Sequence, residues 1–208
     1  MLRPRLPSSS INFMPKPIPS ANGGVASRLQ STRLVAAVAE LGSLAFNKMK
    51  VILLGNAGAG KSTMARRLIG VADIPRLSLD EIAWDKDTKR KPLDESRSLL
   101  RQFINAKEQW VIEGCYGDII EAALPHCTEL RFLNPGIETC VAHCNRRPWE
   151  ASKFSSAEQQ NAVLGQLIQR VKEYETRNDD YSLKRHRQIF DNFSGTKREY
   201  TSTASYEG

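Results

Sequence analysis

Eight consecutive residues, Gly55-Asn56-Ala57-Gly58-Ala59-Gly60-Lys61-Ser62, fit the pattern Gly-x-x-x-x-Gly-Lys-Ser/Thr at every position, and Thr63 follows to make a loop of nine. Their types suit one task, the holding of a phosphate chain. Glycines let successive backbone N–H groups curl around an anion. A helix that starts at the loop adds the partial positive charge of its N-terminus. Lys61 carries a point charge to the β- and γ-phosphates of a nucleotide, and the Ser62 hydroxyl is placed to ligate Mg²⁺. The flanks agree with this reading. Residues 50–54 form a short apolar run ending in glycine, and residues 61–70 have helical character and close on Gly70. All nine loop residues are therefore the expected binding residues for ATP, with Mg²⁺ as its companion.

Such a loop needs a sheet edge to sit on, and the rest of the chain supplies one. Further strands are expected at 76–79, 110–112, 129–133 and 198–201. Helices are expected at 94–107, 118–124, 137–146, 157–177 and 182–193. In the first of these, Leu99, Leu100, Phe103 and Ile104 share a face and Asp94 is the candidate cap. Strands alternating with helices give an α/β fold, a three-layer α/β/α sandwich around a parallel sheet of about five strands. Right-handed crossovers place the C-terminal ends of all strands on one edge, where ligands bind. The residues just beyond the strands then matter most: 55–63, Asp80, 113–116 and Asn134.

From about residue 49 to 201 the chain resembles the small P-loop kinases, a P-loop NTPase superfamily that includes adenylate, shikimate and gluconate kinases. The segments MKVILLGNAGAGKSTMARRL, LSLDEIAW, WVIEGCYGD and NRRPWEASKF carry the likeness. Within that superfamily it is most similar to the adenylate-kinase-like, topology-modulation group. The resemblance implies an acceptor region after the second strand and a helical lid late in the chain. It implies a kinase that moves the γ-phosphoryl of Mg-ATP to a small-molecule acceptor, either a hydroxyl compound or a nucleotide.

On this resemblance Asp80 orients the acceptor or acts as base toward it. As a helix cap or turn residue it would have no such role. Glu81 is the neighbouring alternative, with its side chain expected to point elsewhere. Glu113 stands where adenylate kinases end an apolar strand in Asp-Gly, and it would hold a Mg²⁺-bound water. The Arg that follows in adenylate kinases is replaced by Cys115-Tyr116-Gly117, which weakens a nucleoside monophosphate as acceptor. Trp84 and Tyr116 suit either stacking on a ring-shaped acceptor or packing. Arg146, Arg147 and Lys153 fall in the expected lid around Pro148-Trp149. Arg147, further into the loop than Arg146, is the candidate to bring a guanidinium onto the transferring phosphate.

Charge first suggests a different partner, because the 208 residues hold 30 Lys+Arg against 23 Asp+Glu, a net +7. Residues 1–48, however, contain six basic residues and one acid, whereas residues 49–208 contain 24 and 22. The excess sits in a tail, so neither nucleic acid nor a membrane is an expected partner. The oligomeric state stays open. The tail is rich in Pro, Ser and Gly and is expected to be disordered through about residue 27. Residues 34–46 could form a helix, too short to cross a bilayer. An organelle transit peptide and translation starting at Met49 both fit this composition. The expected organisation is an extension over 1–48 and a kinase-like domain over 49–208.

Cys115, Cys127, Cys140 and Cys144 form no C-x-x-C pair. They are expected as free thiols in a reducing, cytoplasmic setting, filling space as small hydrophobes. Lys184, Arg185 and Arg187 with His186 read as a solvated helix face. No Asn/Thr-Lys-x-Asp motif follows the loop, which argues against guanine nucleotides. The competing function is a regulatory P-loop ATPase without a small-molecule acceptor.

Overall fold

The computed structural model describes residues 49–70, 72–85, 89–147 and 156–207. The expectations for residues 1–48, and those for Lys153 and Pro148-Trp149, lie outside the described residues.

Five strands, β1 (Lys50–Gly55), β2 (Arg76–Ser78), β3 (Trp110–Gly114), β4 (Glu129–Leu133) and β5 (Thr196–Tyr200), pair in parallel in the order β2-β3-β1-β4-β5. The central strand is apolar on both faces, as a sheet covered on both sides requires. Side chains alternate along β1. Ile52 and Leu54 enter one core, with Leu100 and Ile104 of α3 (Leu93–Asn105). The same core takes Ile119 and Ile120 of α4 (Gly117–Ala123) and Ile189 of α7 (Leu183–Asn192). Val51 and Leu53 enter the other, with Met64 and Ala65 of α1 (Lys61–Ile69). Cys140 and Cys144 of α5 (Ile137–Asn145) and Val171 of α6 (Ala157–Lys172) complete that side. Each fully buried Leu or Ile contributes roughly 1.5–3 kcal/mol relative to exposure. The result is the three-layer α/β/α arrangement, with β1 and its loop at its centre.

Three local outcomes differ from the sequence pattern. β2 ends at Ser78, and Leu79 opens a short helix, α2 (Leu79–Ala83). Leu79, Ile82 and Ala83 are buried at helical spacing, and that packing turns the chain one residue earlier than expected. Asp80 therefore lies in the first turn of α2 rather than at a strand end. Pro92, not Asp94, precedes α3, and no side chain caps it; Asp94 instead complements the helix dipole from the first turn. Residues 157–177 divide into α6 and a 3₁₀ turn at Glu173–Glu175.

In the basic cluster on α7, Lys184 is exposed and Arg185 and Arg187 are half-buried in ion pairs, whereas His186 is turned inward. His186 is 0% exposed; its Nε2 faces the Cys115 carbonyl at 2.9 Å and its Nδ1 faces the Tyr174 hydroxyl at 2.8 Å. A carbonyl can only accept, so Nε2 carries the proton and Nδ1 accepts from Tyr174. Arg185 pairs with Glu121 at 2.7 Å, and Arg187 grips Glu199 through two bonds of 2.7 and 2.6 Å.

Burial pushes His186 down from 6.5 to about 4. The unfolded chain then binds the extra proton between these values, so stability rises with pH across that window and falls on acidification. The stability expected to be lost through this group between neutral pH and pH 4 is roughly 3 kcal/mol. Urea midpoints measured from pH 7 to pH 4 should fall more steeply for the parent than for His186→Gln. Equal slopes would contradict the buried neutral imidazole.

Candidate active site

β1 delivers the chain straight into the phosphate loop, and α1 starts at Lys61. Gly58 and Gly60 have φ of 80° and 87°, a region where side chains are strained. A Cβ on Gly58 would also stand 2.2 Å from the Cys140 carbonyl oxygen. The loop is thus laid against the backbone of α5, and only glycine fits there. Asn56 anchors its start: Nδ2 donates to the Val171 carbonyl at 3.1 Å, and Oδ1 accepts the Ala57 N–H at 2.8 Å.

Lys61 is 8% exposed, and its Nζ donates to the carbonyls of Gly55 at 3.0 Å and Asn56 at 2.8 Å. An ammonium has three donors, so one remains for an anion. The Ser62 hydroxyl donates to Glu113 Oε1 at 2.8 Å, which leaves its lone pairs for a cation. Arg76 Nη2 reaches the same Oε1 at 2.5 Å. Glu113 is 4% exposed. Burial pushes its carboxyl up, but the Lys61 charge and the hydrogen bonds from Arg76 and Ser62 outweigh this. The net effect holds it below its ordinary value, as a carboxylate. Arg76 is a partner that the sequence pattern did not single out.

Asp80 is exposed, and its Oδ1 accepts a short hydrogen bond from the Tyr116 hydroxyl. Tyr116 in turn accepts from Trp84 Nε1 at 2.6 Å. The Tyr116 ring is 3% exposed, lies 5.0 Å from the Arg90 guanidinium and meets Tyr181 edge-on. Arg90 also bonds the Ala83 carbonyl at 3.0 Å and Asp118 at 3.1 Å. Burial drives the Tyr116 hydroxyl well above its usual value, so it keeps its proton and donates. Trp84 and Tyr116 thus form a supporting chain behind Asp80 rather than an exposed ring stack.

These groups meet at a cavity of about 1,050 Å³. Gly58, Gly60, Lys61, Ser62 and Thr63 form one wall, and Arg76, Ser78, Asp80 and Glu81 form another. Arg66 and Arg67 of α1, together with His143, Arg146 and Arg147 at the end of α5, add cationic and polar groups. A C-terminal 3₁₀ turn, Thr203–Glu207, contributes Thr203, Ala204 and Tyr206. Lys61, Asp80 and Arg147 therefore share one space, although they lie far apart in sequence. Glu81 lines it too, contrary to the expectation that it points elsewhere, because the first turn of α2 presents both carboxylates. Glu113 stands behind Ser62. Asn134 is elsewhere: it bonds Glu199 at 3.2 Å and ties β4 to β5.

Among the described residues, no group of three or more His, Cys, Asp or Glu is gathered to hold a metal ion. All four cysteines are free, and burial pushes Cys115 up to about 11 and Cys127 up to about 12. They are inert thiols at neutral pH. His143, Tyr206 and Arg76 were not legible as site residues. They reach the site only through packing of distant segments.

No family model matches the chain, and no curated protein matches it. Among solved structures, it is similar to the shikimate kinase from Acinetobacter baumannii in complex with shikimate. The identity is 18% and the TM-score 0.38, over 71% of this chain and 94% of that one. The chain's five-stranded parallel sheet, the helices on both its faces and the Gly-x-x-x-x-Gly-Lys-Ser loop after the central strand together make a P-loop NTPase fold.

Proposed function

We propose that this chain is a small-molecule kinase of the adenylate-kinase-like, topology-modulation group. It binds Mg-ATP and passes the γ-phosphoryl group to a small acceptor, a hydroxyl compound in preference to a nucleotide. The observation that carries this reading is one cavity shared by the phosphate loop, the Asp80 carboxylate and the arginines at the end of α5. Six cationic side chains, Lys61, Arg66, Arg67, Arg76, Arg146 and Arg147, line it against two carboxylates, Asp80 and Glu81. That balance suits a polyphosphate.

The residues fit a magnesium ion. A hydroxyl and an ionised carboxylate lie 2.8 Å apart beside the loop, and hard cations take oxygen donors of this kind. Ser62 would ligate the ion directly, and Glu113 would hold its water through a hydrogen bond. When bound, Mg²⁺ supplies charge neutralisation of the phosphate oxygens.

The chain's own groups do the rest. Backbone N–H groups at the loop and at the start of α1 cradle the phosphates. The third donor of Lys61 reaches the γ-phosphate. Asp80 accepts the hydrogen of the acceptor hydroxyl on the oxygen that Tyr116 leaves free. The acceptor oxygen bonds to phosphorus as the bond to the β–γ bridging oxygen breaks, and ADP leaves with that electron pair. Arg147, with Arg146 beside it, offers planar N–H donors to charge developing on the phosphoryl oxygens.

Tyr116→Phe removes the support for Asp80 without emptying the packing around the ring. We expect kcat to drop roughly tenfold with little change in KM for ATP. In an Asp80→Asn background the same substitution should add almost nothing, since both act through one group. Full additivity would show that Tyr116 acts on the fold.

The reading as a whole is tested by ADP formation from Mg-ATP with the full-length protein across sugars, amino alcohols, hydroxy acids and nucleoside monophosphates. Stimulation by one class of acceptor supports it. ADP release indifferent to every acceptor favours a regulatory ATPase instead.

A further inference from the structure

Two side chains from outside the phosphate loop hold its carbonyls. Tyr206, in the C-terminal 3₁₀ turn, donates its hydroxyl to the Ala59 carbonyl at 2.7 Å. His143, near the end of α5, places Nδ1 2.7 Å from the Gly58 carbonyl. A carbonyl only accepts, so that nitrogen carries the imidazole proton. Two carbonyls earlier in the loop, of Gly55 and Asn56, are already held by Lys61. A planar trans peptide points its N–H opposite to its C=O. Holding the Ala59 carbonyl therefore also fixes the direction of the Gly60 N–H, and Gly60 lines the cavity. The Tyr206 ring adds a steric stop, lying 3.1 Å from where a Gly60 Cβ would stand. Tyr200 meets that ring edge-on, 5.8 Å between centroids, and ties it to the end of β5.

We propose that His143 and Tyr206 are positioning residues that clamp the phosphate loop in its anion-binding shape before nucleotide arrives. The inference rests on the nucleotide site proposed above, but not on phosphoryl transfer or on the acceptor. A loop already bent for the anion spends less binding free energy on ordering, so the clamp acts on affinity for phosphates. It ties two segments to the loop that are 85 and 147 residues away in sequence.

The test is calorimetric titration of the full-length protein with magnesium tripolyphosphate, magnesium ADP and adenosine. Tyr206→Phe and His143→Leu should each weaken tripolyphosphate and ADP binding roughly three- to tenfold, the effect of one lost hydrogen bond. His143→Asn should retain most of the affinity, because its amide N–H can replace Nδ1–H. Adenosine binding should be unchanged in all three, and hydrogen exchange at residues 56–60 should rise in the two weakened variants. Parent-like tripolyphosphate affinity in both Tyr206→Phe and His143→Leu would overturn the clamp alone. A loss confined to adenosine would also overturn it, because Tyr206 would then be touching the base. If the parent bound neither ADP nor tripolyphosphate, the nucleotide site itself would fall and the clamp with it.

Discussion

Lys61→Ala is expected to lower phosphoryl transfer by roughly 10²–10³-fold, the effect of removing one strong donor from developing charge in a dry site. Mg-ATP affinity should fall as well, because the ammonium meets the phosphates in the ground state. The loop also loses the bonds from Nζ to the Gly55 and Asn56 carbonyls. The Asn56 carbonyl keeps the Ala59 N–H at 3.2 Å, and the loss of a buried hydrogen bond from an ammonium costs about 1–3 kcal/mol. The variant should remain folded, since both cores are untouched, but should melt earlier. Thermal melts alongside initial rates separate the two effects. Unchanged turnover in a folded variant would contradict the role of the loop.

Asp80→Asn should act differently. The amide oxygen can still accept the Tyr116 hydroxyl, so the local hydrogen-bond chain survives. What disappears is the capacity to take a proton. We expect kcat to fall by roughly 10²–10⁴-fold, the usual worth of a positioned general base, with ATP affinity within about twofold of the parent. Steady-state rates and ATP titration of the same preparation provide both numbers. A matched loss of ATP affinity would show that Asp80 serves the metal or the fold. Glu81 lines the same wall, so Glu81→Gln is the natural control. An effect there equal to that of Asp80→Asn would move the proton acceptor by one residue.

Much of this arrangement could be read from short-range pattern. The phosphate loop declares itself within eight residues because its chemistry is backbone chemistry, and glycines mark the backbone. The inner strands β1 and β3 are visible as apolar runs because both of their faces are covered, whereas the edge strands β2 (Arg-Leu-Ser) and β5 (Thr-Lys-Arg-Glu-Tyr) carry mostly polar residues. Asp80 falls one structural step from its expected place, since burial of Leu79, Ile82 and Ala83 begins a helix where the run Arg76-Leu77-Ser78-Leu79 carries no stop signal. His186 looked solvated among three basic neighbours. Only the fold shows that its ring is the one member of the cluster turned inward, onto Tyr174 and the Cys115 carbonyl. Arg76 pairs with Glu113 across 37 positions, and the loop clamp spans more than twice that. No periodicity or local motif encodes contacts of that kind. They arise from which strands become neighbours, here β2 beside β3, and from where the last turn of the chain comes to rest.

The most direct measurement is ³¹P NMR of Mg-ATP turned over by the full-length protein with a responsive acceptor, run beside Asp80→Asn. The account predicts a new phosphate-ester resonance growing with ADP in the parent, and its loss in the variant although ATP still binds. Inorganic phosphate as the sole product, at equal rates in parent and variant, would contradict it.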